Sequence, residues 1–382
     1  MRAPGRWQLA AATVVLCAAC SSGHTDGRPT ATATAPKTGA STTAATTNVA
    51  MTVAVSSRLV RPTSATLLVV SYSRSGQPSL AVLDVDHATT APVPLPHGLG
   101  AYMDHFQLVS RPAGLVLVGS LDTGAGHGPA PVYWYRTTAA PPTTIGQASV
   151  IFPSAHPDEA WLTSDLATGI GPPTVHLDEV DATGTHTATT ILRAPSGSVI
   201  TDVAAVDSGF VVGTAPANGV TPGRYDLYDL DGRATVPLGA GSLIATRGPL
   251  AVFSADGHLK ITNVVTGHQR QLPATVDSGD HASISPDGTR LVMQLASTSV
   301  AGGDGHVAIV DLSTGEVTVG PPTGYIPPVW DGSSSDVLFI EPDGQLDVWQ
   351  VPEHTLVRLG NPLADAVAIQ TLDTAKPSEP AA

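Results

Sequence analysis

Cysteine is nearly absent. The 382 residues hold two, Cys17 and Cys20, so nothing beyond residue 20 can form a disulfide or supply a thiolate. Charge is scarce at 13%, and acids outnumber bases 32 to 18 for a formal charge of −14. With no basic cluster, the chain has no footprint for nucleic acid phosphates, and no nucleic acid partner is expected. Glu-, Lys- and Leu-rich heptads are missing, which excludes a coiled coil or helical bundle. The apolar run Leu9 to Ala19 has 11 residues, too few for a helix crossing about 30 Å of hydrocarbon. Catalytic signatures are missing too. No Gly-x-Ser-x-Gly elbow occurs. The 13 His are scattered singly, without the close spacing of a zinc motif. No catalytic residue, metal ligand or cofactor is assigned from the sequence.

What is present begins with an address. Arg2 and Arg6 precede the apolar run, which ends Leu16-Cys17-Ala18-Ala19-Cys20-Ser21-Ser22. Residues 1–19 therefore form a secretion signal. The small residues Ala18 and Ala19 before Cys20 resemble a bacterial lipobox. That resemblance implies a lipoprotein cut before Cys20, acylated there, and anchored to the cell membrane on its extracytoplasmic side. The alternative is a plain signal peptide cut after Ala19. Residues 20–50 are rich in Thr, Ala, Ser and Pro, without apolar periodicity. Such a segment cannot bury enough surface to offset its ordering entropy, and reads as a disordered tether.

A repeat occupies the rest. A short β-run closed by one residue, an apolar residue and a turn occurs seven times, closing at Asp84-Val85, Trp134-Tyr135, Glu179-Val180, Asp229-Leu230, Asn263-Val264, Asp311-Leu312 and Gln350-Val351. The spacing averages about 44 residues, within the period of four-stranded propeller blades. Tight turns separate the preceding strands, most clearly at Pro286-Asp287-Gly288, where Pro presets φ and Gly accepts positive φ. Asp229-Leu230-Asp231-Gly232 lacks the full spacing of a calcium loop and is read as a turn. Ser285-Pro286-Asp287-Gly288, followed by a strand ending Val310-Asp311-Leu312, resembles the repeat of TolB-type, WD-like β-propellers. The resemblance implies an all-β, seven-bladed β-propeller over 51–373, a disordered tail over 374–382, and a tendency to bind other molecules.

The ring must close. The first blade shows only three strands of its own, so the segment 366–372 is expected to pair with the strand Leu67–Val70. Met51 to Val60 is the rival for that place. Long Gly- and Pro-containing loops at 120–131, 164–174, 214–224 and 296–305 join second to third strands and emerge on one face, with the links between blades. Tyr102, Asp104, His105, Asp202, Asp280, His281 and Tyr325 lie on that side as a candidate ligand face. Two functions stay open. One is a cell-envelope lipoprotein whose propeller is a non-catalytic scaffold for a protein, peptide or glycan. The other is a propeller-fold enzyme of lyase, lactonase or glycosidase type, with its site at the central channel.

Overall fold

The computed structural model describes residues 49–50, 54–63, 65–72, 78–96, 103–111, 113–122, 127–166, 171–219, 221–275, 279–295, 305–324, 326–360, 363 and 366–372. Cys20, the rest of the signal and tether up to residue 48, Tyr102, Tyr325 and the tail lie outside these residues. Among the described residues there is no helix. Seven sheets, each built on four antiparallel strands, follow one another as the blades of a β-propeller. In blades two to seven the strands run in chain order from centre to rim, as in blade four: Ser198–Val206, Gly209–Pro216, Arg224–Tyr228 and Ala234–Gly239. First strands of neighbouring blades touch around the centre.

The repeat marks real turns. Where a third strand ends, a side chain caps the backbone of the turn to the fourth. Asp311 Oδ1 accepts from the amides of Ser313 (2.7 Å) and Thr314 (2.8 Å). Asn263 Oδ1 does the same for Val265 and Thr266, and Asp84 and Asp229 cap through His87 and Arg233. Short polar side chains favour this arrangement because they reach their own backbone two or three residues on. The apolar residue that follows folds inward in blades five and six: Leu312 and Val264 are buried, and their amides donate to Thr289 and Pro249 ahead of the second strand, whereas Leu230 of blade four stays exposed. Blade three differs from the sequence alignment by two residues. Its cap is Asp181, which accepts from the amides of Thr183 and Thr185, and Ala182 takes the inward place. Glu179 is thereby left inside the strand.

Packing explains the apolar runs. Each blade is covered on both faces by its neighbours, so second and third strands lose the alternation of a half-exposed sheet. Asp336–Ile340 and Leu346–Gln350 are buried at every residue. Seven apolar clusters fill the seven seams between blades. Trp161 meets Phe210 edge-on at 5.3 Å across the seam between blades three and four, and Tyr225 meets Phe253 at 5.2 Å across the next. Such pairs add about 0.5–1.5 kcal/mol beyond their area burial.

Both termini serve the ring. Ala366–Thr371 pairs antiparallel with the strand Thr66–Tyr72 and forms the innermost strand of blade one. The cluster between blades seven and one joins Leu67 and Val69 to Ile340, Val348 and Ile369. The N-terminal segment takes another place. Ala54–Ser56 adds parallel to the outer strand of blade seven, and Val49–Ala50 adds parallel to that of blade six. From there residues 57–63 cross beneath blade seven as a strap. The Val60 amide donates to Gln350 Oε1 (2.7 Å), and Gln350 Nε2 donates to the Arg61 carbonyl (2.9 Å). The Arg61 guanidinium pairs with both oxygens of the fully buried Asp336 (2.5 and 3.1 Å) and with Glu353 (2.9 Å). Gln350, the capping place of blade seven, is thus spent on the strap.

Candidate functional site

Strand direction defines two faces. Loops joining second to third strands, and the links between blades, emerge on a loop face. Turns joining first to second and third to fourth strands emerge on a turn face. The described strand ends that flank the four long loops singled out by sequence all lie on the loop face, where the inner strands also begin.

Register shifts interrupt the inner strands of five blades. They fall between Met103 and His105, Ile200 and Asp202, Leu243 and Ala245, Asp280 and Ser283, and, in blade one, Ala366 and Ala368. A bulge of this kind leaves a residue out of the ladder and re-aims side chains, and bulges concentrate beside binding and catalytic sites. The residues set out of register or flanking these breaks include Asp104 and His105 in blade two, Asp202 in blade four, and Asp280 and His281 in blade six. For Asp104, His105, Asp280 and His281 the backbone alone is described.

Asp202 is described in full. The Tyr225 hydroxyl donates to Asp202 Oδ2 at 2.9 Å and accepts from the Leu243 amide at 3.3 Å. Tyr225 therefore ties the inner strand of blade four to that of blade five. Burial pushes the Asp202 carboxyl above its ordinary range, and the hydrogen bonds from Tyr225 and the Val203 backbone only partly offset this. Burial, and then the Asp202 charge, likewise push the Tyr225 hydroxyl up. The pair joins a carboxyl on the inner strand to a hydroxyl on the third strand of the same blade.

A cleft of about 230 Å³ opens between the outer strand of blade two and blade three. Gly146, Gln147, Thr163, Ser164 and Asp165 line one part, and His176, Asp178 and His186 another. His176 Nδ1 lies 2.7 Å from Asp165 Oδ2, which also accepts from the His176 amide at 2.7 Å. His186 Nδ1 lies 3.9 Å from Asp178 Oδ1. The cleft sits at the base of the loop 164–174. Its lining offers hydroxyls, an amide and two imidazole–carboxylate pairs, a set suited to hydrogen-bonding a polar ligand.

One grouping escaped the sequence reading. On the turn face of blade three, His156, Glu159 and Glu179 place ligating atoms within 4.8 Å of one another. The available signal was Glu179 at a repeat position that Asp84, Asp229, Asn263 and Asp311 use for turn capping. Its meaning depends on sheet register, which the repeat alone does not reveal.

No family model and no curated protein matches the chain. Solved structures do resemble it. A candidate 6-phosphogluconolactonase from Bacteroides fragilis aligns at TM-score 0.52 with 10% identity, over 82% of this chain and 99% of that one. Apo AztD from Citrobacter koseri aligns at TM-score 0.50 with 15% identity, over 78% and 82%. TolB from Acinetobacter baumannii covers similar shares, 78% and 81%, at 15% identity and a TM-score of 0.42. At such identities the likeness is one of fold, the β-propeller, and fold does not fix function.

Proposed function

We propose that this chain is an extracytoplasmic lipoprotein, held at the cell membrane through Cys20, whose propeller is a non-catalytic binding scaffold. Its partner is a protein, peptide or glycan engaged on the loop face. The observation that carries this reading is the register break near the start of five inner strands. It gives up regular pairing at the channel wall and turns varied side chains out of the ladder at the loop-face end. The polar cleft beside loop 164–174 extends the same face. The net charge of −14 favours a neutral or cationic partner.

The test uses the full chain in detergent, captured with its partners from native envelope. Shortening loops 120–131 and 296–305 together to tight turns should abolish partner capture and leave the melting temperature nearly unchanged. Capture that survives, but is lost on altering Asp158, Asp207 and Asp287 on the turn face, would overturn the assignment. The anchor is tested by mass spectrometry: an acylated N-terminal Cys20 is expected, and an unmodified mature chain in the medium would refute it.

A second reading, a channel enzyme, is favoured by the buried Asp202 carboxyl and its Tyr225 donor. The fold neighbour described as a candidate 6-phosphogluconolactonase makes lactone hydrolysis the reaction to assay. A phosphorylated lactone suits this acidic chain poorly. Hydrolysis by the wild type that disappears in Asp202→Asn would replace the scaffold reading with this one.

A further inference from the structure

Three segments of blade three bring nitrogen and oxygen donors together on the turn face, away from the loops discussed above. His156 lies in the turn after the first strand, Glu159 opens the second strand, and Glu179 stands near the end of the third. Glu159 pairs with Asp181 and Trp161 with Glu179, so the two glutamates are diagonal neighbours on one side of the sheet. The turn is held from two directions. The Arg111 guanidinium, reaching over from blade two, donates to the carbonyls of Ser154 and His156. The Ser154 hydroxyl donates to Glu179 Oε1 and accepts from the His156 amide at 2.9 Å.

Acidic groups crowd there. Glu179 is only 7% exposed. Glu159 Oε2 is buried without a hydrogen-bond partner. Two carboxylates this close, and shielded from water, repel unless a positive charge comes between them. Burial, and then the Glu179 charge, push the Glu159 carboxyl up.

We propose that His156, Glu159 and Glu179 form a binding site for a divalent transition-metal ion, with Zn²⁺ the best match. One imidazole and two carboxylates are a standard donor set for this class. Mg²⁺ and Ca²⁺ suit the set less well, because they favour six or more oxygen donors. Zinc bonds of about 2.0–2.2 Å place donors roughly 3.4 Å apart around a tetrahedral ion. The spread of up to 4.8 Å closes to that distance by rotation of His156, which is exposed on its turn. The remaining coordination position faces solvent on the His156 side. The bound ion neutralises the two glutamates and fastens the turn that Arg111 already ties to blade two.

The test takes the full chain, stripped with a chelator, and titrates ZnCl₂ by calorimetry, with Co²⁺ as a spectroscopic probe. Expected are one ion per chain, a higher melting temperature with Zn²⁺, and visible Co²⁺ absorption. His156→Ala and Glu159→Gln should each weaken binding at least tenfold and lose the Co²⁺ spectrum, with the metal-free melting temperature little changed. Both positions are at least partly exposed, so these variants report on binding even where Glu179→Gln fails to fold. Absence of binding at saturating Zn²⁺ would overturn the proposal. So would binding of the same strength in both variants, or a preference for Ca²⁺ over Zn²⁺.

Discussion

Ile369 stands directly opposite Val69, so one of the last strands of the chain is the inner strand of the first blade. Val69 is 3% and Ile369 5% exposed, and both belong to the cluster that seals blade one to blade seven. Deleting residues 364–382 removes that seal and leaves the strand Thr66–Tyr72 without its inner partner. An unpaired edge at the channel wall templates association. The expected outcome is a fall in melting temperature of roughly 10 °C or more, with concentration-dependent light scattering. A truncated chain that melts with the wild type would show that the ring does not depend on this strand.

Arg61 is the sole described cation paired with the Asp336 carboxylate, whose side chain has no exposure to solvent. Arg61→Ala leaves that charge buried and also frees Glu353. Urea unfolding at pH 8 should show a loss of about 2–4 kcal/mol. The loss should shrink at pH 5, where Asp336 takes up a proton. A loss of equal size at both pH values would mean that the ion pair is not its source.

Acidity bears on the whole fold. Burial, then the Asp331 charge, push Asp336 up to about 7. Burial also pushes Asp347 up to about 7, against the hydrogen bond from Gln345. In the unfolded chain such carboxyls titrate near about 3.9. Between these limits the folded state keeps protons that the unfolded state has released, so stability falls as pH rises from about 4 to about 7. Asp84 and Asp181, held low by the His87 side chain and the Thr183 hydroxyl, act in the opposite sense: their stabilisation is lost as pH drops below about 4. The melting temperature should therefore be higher at pH 5 than at pH 8. Asp336→Asn combined with Asp347→Asn should flatten the slope. A melting temperature that climbs steadily from pH 5 to pH 8 would contradict this account.

Tyr225→Phe deletes the hydroxyl that joins Asp202 to the Leu243 amide, while keeping the ring packed on Phe253. Two partly buried polar groups each lose one hydrogen bond, at a cost of about 1–3 kcal/mol. In the Asp202→Asn background the same change should cost less, which a double-mutant cycle measures. Additive losses would show that the two residues do not act as a pair.

The blades were legible because their turn chemistry is local. Asp311 and Asn263 cap turns built from their own next three residues, so the pattern survives in sequence. The closing strand was also legible, by bookkeeping: blade one lacked a strand and the chain end had one to give. The strap was not, since Val60 and Arg61 find Gln350 and Asp336 only after the ring has formed. Inner-strand bulges leave no periodic trace, so Asp202 could be placed near the channel without its register break being visible. The grouping of His156 with Glu159 and Glu179 depends on a two-residue shift of the cap in blade three, from Glu179 to Asp181.

The strap also settles how the molecule bears a pull. Its two short strands lie on the rims of blades six and seven, and Arg61 clamps it to blade seven before the chain enters blade one. Tension arriving from the N-terminal side is therefore spent on rim pairing, the Gln350 hydrogen bonds and the ion pairs of Arg61 with Asp336 and Glu353. The seam between Val69 and Ile369 lies beyond that clamp, and it stays unloaded until the clamp fails. A pull on the N-terminal segment would peel off the strap while the ring stayed shut.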